Sequence, residues 1–150
     1  MIICDTREQK NDHILKYFDR HEIPYQIAKV PTGDYIKTGT NLNIAVERKA
    51  TLSELCHNLL SRDKGRFYRE IRRARENGTK LYIVCEHGHG VERIEDVGNW
   101  QNPYGRVTGK MLRSAIYRCA IGYGCEFVFC TKRQTGKIIN EILTNGGLIK

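Results

Sequence analysis

Two short stretches carry residue types that could do hydrolytic chemistry together: "GDY" at residues 33–35 and "ERK" at residues 47–49. Alternate side chains on a strand share a face. In "NIAVERKA" (residues 43–50), Glu47 and Lys49 therefore point the same way, roughly 7 Å apart. Ile44, Val46 and Arg48 point the other way. A carboxylate and an amine on one face at the end of a core strand can hold a metal ion and orient a water beside it. Mg²⁺ or Mn²⁺ suits such a site, because a hard cation prefers oxygen ligands and keeps several waters. It needs a second carboxylate, and Asp34 is the obvious donor. If residues 33–49 form a hairpin that turns near residues 38–41, where Gly39 can take a positive φ, Asp34 falls near the level of Glu47. Gly33 beside it permits a close backbone approach.

The surrounding pattern alternates strands and helices. "MIICD" opens as an apolar strand. "NDHILKYFDRHE" spaces Ile14, Leu15 and Phe18 as a helix does, with Asn11 or Asp12 as N-cap. "IPYQIAKV" is expected as a strand before the hairpin. A helix follows from about Thr51. A second spans "RDKGRFYREIRRARENG", with Phe67, Ile71 and Ala74 inward and Gly78 as a left-handed stop. "KLYIVCE" is a buried strand, and residues 87–106 are expected as a long irregular loop. A helix over residues 107–123, the strand "CEFVFC" and a helix over residues 134–143, with Ile138, Ile139 and Ile142 inward, complete the order. Strands interleaved with helices imply an α/β fold, a mixed central sheet covered by helices, in one domain.

With 150 residues, of which 40% are hydrophobic, the chain can build a real core. It has no 18-residue apolar run for a membrane span and no signal-like opening, so an intracellular protein is expected. Six cysteines without a Cys-x-x-Cys pair fit reduced thiols. "CEHGH" (Cys85, His87, His89) groups three potential ligands, but its spacing matches no structural zinc pattern. The net charge of +8 points to a polyanionic partner, nucleic acid foremost. Its densest part is residues 62–75, where Arg62, Arg66, Arg69 and Arg73 fall on a face away from the apolar stripe. So many cations with so few acids suit phosphate contacts better than a solvated ion-paired face. Lys110, Arg113 and Arg118 could extend that track. Trp100 and Tyr104 could stack on an unpaired base, and Trp100 could equally plug its loop onto the domain.

An Asp on one hairpin strand and Glu-x-Lys on the next resembles the PD-(D/E)xK nucleases. Read in order, "DTRE" (residues 5–8), "GDY", "ERK", "GRFY" (residues 65–68) and an apolar strand ending at Glu86 resemble the nuclease domain of the XPF family of structure-specific endonucleases. The resemblance covers nearly the whole chain. It implies a restriction-endonuclease-like fold and metal-dependent cleavage of DNA near junctions of duplex and single strand. By position, Asp34 and Glu47 would bind Mg²⁺ or Mn²⁺, Asp5 would complete the acidic cluster, and Lys49 would position or polarise the attacking water. Arg7, Arg48 and Arg66 also match family positions. Arg48 would hold the acidic cluster, or touch phosphate if the strand twists. The resemblance further suggests a homodimer or a heteromeric partner, with close packing offered by small residues within 109–122.

The family pattern departs at one place. Its Asp four residues after the Lys of Glu-Arg-Lys is Ser53 here, followed by Glu54. "TLSE" is expected as a capping box, with Thr51 as N-cap and Glu54 folding back, although Glu54 could also serve as an outer acid. No tandem helix-hairpin-helix domain or helicase accompanies the motifs. Junction recognition would then fall to the nuclease domain, a dimer or a partner. Two alternatives stand beside an active endonuclease: a non-catalytic DNA-binding subunit on a nuclease scaffold, and a four-way-junction resolvase.

Overall fold

The computed structural model describes residues 1–148. Six strands form one mixed sheet, β1 (Ile2–Cys4), β2 (Tyr25–Ile27), β3 (Tyr35–Lys37), β4 (Ile44–Lys49), β5 (Lys80–Cys85) and β6 (Glu126–Phe129). Their order across the sheet is β2-β1-β3-β4-β5-β6. β3 runs antiparallel to both β1 and β4, while β1 with β2, β4 with β5 and β5 with β6 are parallel. Five α-helices cover the faces: α1 (Asp12–Arg20), α2 (Leu52–Leu60), α3 (Lys64–Glu76), α4 (Gly109–Tyr123) and α5 (Lys132–Asn145). The expected long loop contains a 3-10 helix, Ile94–Asn99, which sequence periodicity did not indicate.

Strand alternation splits the core in two. Ala45, Leu81, Ile83 and Cys85 pack under α2, α3 and α4 with Leu55, Ile71 and Ile116. Tyr35, Val46 and Val84 pack on the opposite side with Ile14 and Phe18 of α1 and Ile139 and Ile142 of α5. The predicted inward residues of the closing helix hold, with Ile138 only partly buried. All six cysteines are free and buried as small apolar groups. Asn11 occupies the N-cap position of α1 but makes no side-chain cap bond. Its amide instead donates to the Tyr35 hydroxyl at 3.1 Å and reaches the Cys4 sulfur at 3.3 Å.

Residues 33–49 form the expected hairpin. Tyr35 pairs with Val46 and Ile36 with Ala45, and one further step sets Asp34 beside Glu47. Gly33 makes that step possible. It holds φ at +73°, and a Cβ there would sit 2.9 Å from the Val46 carbonyl oxygen on β4. Gly39, in the hairpin turn, has the same φ but open space around it. Gly33→Ala should therefore lower the unfolding free energy by about 2–3 kcal/mol, strain and clash together, while Gly39→Ala should cost about 1 kcal/mol. Urea denaturation of the two variants measures the difference.

Candidate functional site

Each of the three motifs straddles the sheet. Asp5, Asp34 and Glu47 project toward the α3 side and line one cavity of about 210 Å³ together with Arg7, Glu70 and Arg73. Glu8, Tyr35 and Arg48 project toward α1 and α5. There the Arg48 guanidinium reaches Glu8 at 2.7 and 3.0 Å, the Gln9 carbonyl at 2.7 Å and Glu86 at 3.2 Å. Arg48 and Glu8 each have side chains 7% exposed, and Glu86 is fully enclosed. Burial works against the Arg48 charge, but Glu8 and Glu86 outweigh it and raise its pKa further. Tyr35 donates its hydroxyl proton to Glu8 at 2.7 Å. His13 and Thr135 meet Glu86 at 2.9 and 3.0 Å. Arg48 therefore faces away from the cavity, and its guanidinium holds Glu8 and Glu86 rather than the acidic cluster of Asp5, Asp34 and Glu47. Its backbone N–H donates to Asp34 Oδ2 at 2.8 Å, so the residue also fixes the front carboxylate.

The acids differ in how well they are compensated. Asp5 accepts the Val30 N–H at 2.9 Å and the Arg7 guanidinium at 2.8 Å. Burial pushes its pKa up, but these donors outweigh burial and hold it below the ordinary value. Asp34 has no such surplus. Burial, the Glu47 charge and the Glu8 charge push its pKa up to about 8, against the Arg48 N–H and Lys49. Burial also raises the Glu47 pKa; Lys49 opposes that shift and Glu70 adds to it. Lys49 Nζ lies 3.3 Å from Glu47, 3.9 Å from Glu54 and 4.9 Å from the Phe67 ring centre.

Glu54 does fold back beneath its helix. Thr51 accepts the Glu54 N–H at 3.1 Å, and the Glu54 carboxylate takes the Ala50 N–H at 3.2 Å, one residue earlier than a capping box requires. Neither Ser53 nor Glu54 lines the acidic cavity. Sequence reasoning missed Glu70, the acid that does line it from α3; its only signal was that of a carboxylate standing in an arginine run. It also missed Glu8 and the buried anchoring by Glu86, although both stand inside the quoted motifs. Among the described residues, no three His, Cys, Asp or Glu side chains converge into a ready-made metal cluster. His87 Nδ1 accepts the Leu52 N–H at 3.1 Å, at the start of α2.

A second cavity of about 720 Å³ adjoins the first, and Glu70 lines both. Lys49, Arg62, Arg66 and Arg69 form its walls, while Arg73 lines the acidic cavity and donates to the Pro31 carbonyl at 3.2 Å. Among the described residues, no arginine of α3 forms an ion pair with an acid. Lys110 lies elsewhere, by the Trp100 loop, and the Arg113 guanidinium rests on Gly98 of the 3-10 helix; neither joins the α3 groove. Trp100 packs against the core, whereas Tyr104 is 83% exposed. Gly109 is packed tightly against the backbone of Val97 and Trp100 within the chain itself.

A mixed sheet that sets two under-compensated carboxylates and a lysine beside a basic helix defines an α/β domain of nuclease type. The chain belongs to the ERCC4 domain family, whose sequence profile matches residues 4–142. This is the XPF-type nuclease family that the motif order indicates. No curated protein matches the chain. Among solved structures, XPF from Aeropyrum pernix superposes with a TM-score of 0.69 at 19% identity, covering 99% of this chain and 64% of that one. XPF from Aeropyrum pernix in complex with DNA gives the same TM-score and identity over 97% and 64%. The chain thus spans less than two thirds of the length of these structures, and at this identity the likeness concerns the fold.

The charge balance has consequences for stability. Arg48→Ala strands Glu8 and Glu86 in the interior and should cost about 3–5 kcal/mol in urea denaturation. The folded-state pKa of Asp34, about 8, lies above its ordinary value of 3.8. Stability from its protonated form is complete below the ordinary value and is lost as pH rises through about 8. In chelator, Asp34→Asn should therefore gain stability relative to wild type between pH 4 and 8.5, followed by thermal melts across that range.

Proposed function

We propose that the protein is a divalent-metal-dependent endonuclease that hydrolyses DNA phosphodiesters near junctions or flaps. One observation carries this reading. Asp34 and Glu47 lie side by side with too little positive charge around them, at the end of a groove walled by arginines that pair with no acid among the described residues. Membership of the ERCC4 domain family and the DNA-bound state of a similar fold support it.

The donor set fits a hard cation. Burial raises the pKa of both Asp34 and Glu47, helped by the Glu47 charge at Asp34 and by the Glu70 charge at Glu47, which is the deficit that a divalent ion removes. Asp34 and Glu47 would hold Mg²⁺ or Mn²⁺, with Glu70 adding charge from α3; Asp5, already neutralised, would act mainly by shaping the cavity. When bound, the ion supplies charge neutralisation at the scissile phosphate and lowers the pKa of water. Lys49, its ammonium steadied by Glu47 and Phe67, would donate to the incoming water or to a phosphate oxygen and offset charge that builds in the transition state. Arg62, Arg66 and Arg69 would grip phosphates along the groove, and Arg7 and Arg73 would do so at the cavity rim. Such contacts set position, with little dependence on base sequence.

A second reading, a non-catalytic DNA-binding scaffold, draws on the state of Asp5: an acid already satisfied by Arg7 and Val30 has little left for a metal. Calorimetry with Mn²⁺ separates the two. The endonuclease reading expects binding that tightens from pH 6 to pH 8, as the Asp34 proton is displaced, and that disappears in Asp34→Asn. It also expects wild type to cut a labelled flap or splayed-arm duplex with Mn²⁺ or Mg²⁺. Asp34→Asn and Glu47→Gln should slow cutting by at least about 100-fold, or about 2.7 kcal/mol, with DNA affinity retained. Wild-type binding without cutting of any DNA form would sink the reading.

A further inference from the structure

On the opposite side of the sheet, a second cleft of about 580 Å³ opens between α1 and α5. Its walls carry His13, Lys16 and Arg20 from α1 and Lys132 and Arg133 from the first turn of α5. Residues 13, 16 and 20 recur at i, i+3 and i+7, so they form one ridge. The ridge is about 10 Å long, the rise of three base pairs.

The cations of this cleft are poorly compensated. His13 is turned to Glu86, but Lys16, Arg20, Lys132 and Arg133 make no ion pair among the described residues. Asp12 and Asp19, the acids of α1, do not pair with them. Lys132 and Arg133 also stand at the wrong end of their helix. The N-terminus of a helix carries partial positive charge and favours anions, yet the first turn of α5 has two cations and no acid. A bound phosphate would relieve both problems. The helices meet closely beneath the cleft: a Cβ on Gly136 of α5 would lie 2.7 Å from the Tyr17 side chain of α1. The two walls are packed directly against each other.

The cleft is also connected to the acidic site. Lys132 lines a neighbouring cavity with Arg7, Lys10 and Glu54 at the ends of β4 and β5, whose other acids, Glu8 and Glu86, are paired with Arg48. Arg7 in turn lines the acidic cavity, and Glu70 joins that cavity to the α3 groove. Shared lining residues therefore link the α3 groove, the acidic cavity and the α1–α5 cleft across the C-terminal ends of β4 and β5.

We propose that the α1–α5 cleft is a second phosphate-backbone track, which holds a nucleic acid on the far side of the scissile position from the α3 groove. This deepens the endonuclease reading and rests on it for the position of the cut. The two tracks lie on opposite faces of the sheet, so a straight duplex cannot occupy both. A nucleic acid that bends sharply or forks beside the acids can. The preference for branched DNA then has a physical source within this chain.

The test compares binding of a flap DNA and a continuous duplex of equal length by fluorescence anisotropy, in chelator, over a salt series. The variants are K16E/R20E, K132E/R133E and the neutral K16Q/R20Q, all at exposed positions. The first two should weaken flap binding by about 10-fold or more, with the slope of log K against log salt shallower by about 1 for each phosphate no longer neutralised. Duplex binding should change less than about threefold, and K16Q/R20Q should give an intermediate loss on the flap only. Equal loss on both DNAs, or no loss on either, overturns the second track, as does a wild type that binds neither. Cutting by wild type that persists unchanged in the cleft variants overturns the track and leaves the endonuclease reading standing. Failure of wild type to cut sinks that reading, while the binding comparison still decides whether the track exists.

Discussion

The Arg48 guanidinium, enclosed between Glu8 and Glu86, is the contact on which the rest depends. Taking one cation and two carboxylates out of water is costly, and a buried ion pair is by itself weak evidence of stability. Its value here is positional. Glu8 belongs to the segment after β1, Arg48 to β4 and Glu86 to the end of β5, so one side chain ties three separate pieces of chain. Tyr35 of β3 joins through its hydroxyl, and His13 and Thr135 bring in the two helices that cover this face. The same residue then reaches through the sheet by its backbone N–H to Asp34. The front carboxylate is held by a hydrogen bond whose donor cannot move without disturbing the whole back face.

Strand alternation explains why the two hairpin motifs are as short as they are. Asp34 and Glu47 face one way and Tyr35 and Arg48 the other by alternation, while Asp5 and Glu8, beyond the end of β1, are parted by the turn between them. That much of the site was legible in the amino-acid sequence. Glu47 and Lys49 had to share a face, the hairpin had to bring Asp34 alongside, and Gly33 had to permit close approach. Strand and helix order was equally legible, because every long element has a strong apolar period.

Other features depended on facts that periodicity does not contain. Which acids meet Arg48 is decided across the sheet, by residues far from it along the chain. Asp5 resembled its fellow acids in the sequence, yet the loop carrying Val30 returns over it and donates an N–H to it, beside the Arg7 guanidinium. Glu70 was hidden by its neighbours, since its direction depends on the rotation of α3 about an apolar stripe whose phase the sequence defines only to within a residue. Asn11 looked like a cap and is instead a core donor, because the nearby Tyr35 hydroxyl offered a buried acceptor.

Two opposite charge imbalances sit next to each other and do not cancel. The acidic cavity has more negative charge than its surroundings neutralise, and the arginines of α3 are left without carboxylate partners among the described residues, yet Glu70 is shared by both cavities. A fold selected for stability alone would turn Arg66 or Arg69 toward Asp34 and Glu47. Keeping them apart leaves each cavity to an external charge of opposite sign. On the proposed reading a divalent cation would answer the first and a phosphodiester the second. Binding the cation and binding the backbone are therefore coupled through electrostatics on that reading: the cation offsets the repulsion between the carboxylates and an incoming phosphate, and the phosphate attracts the cation.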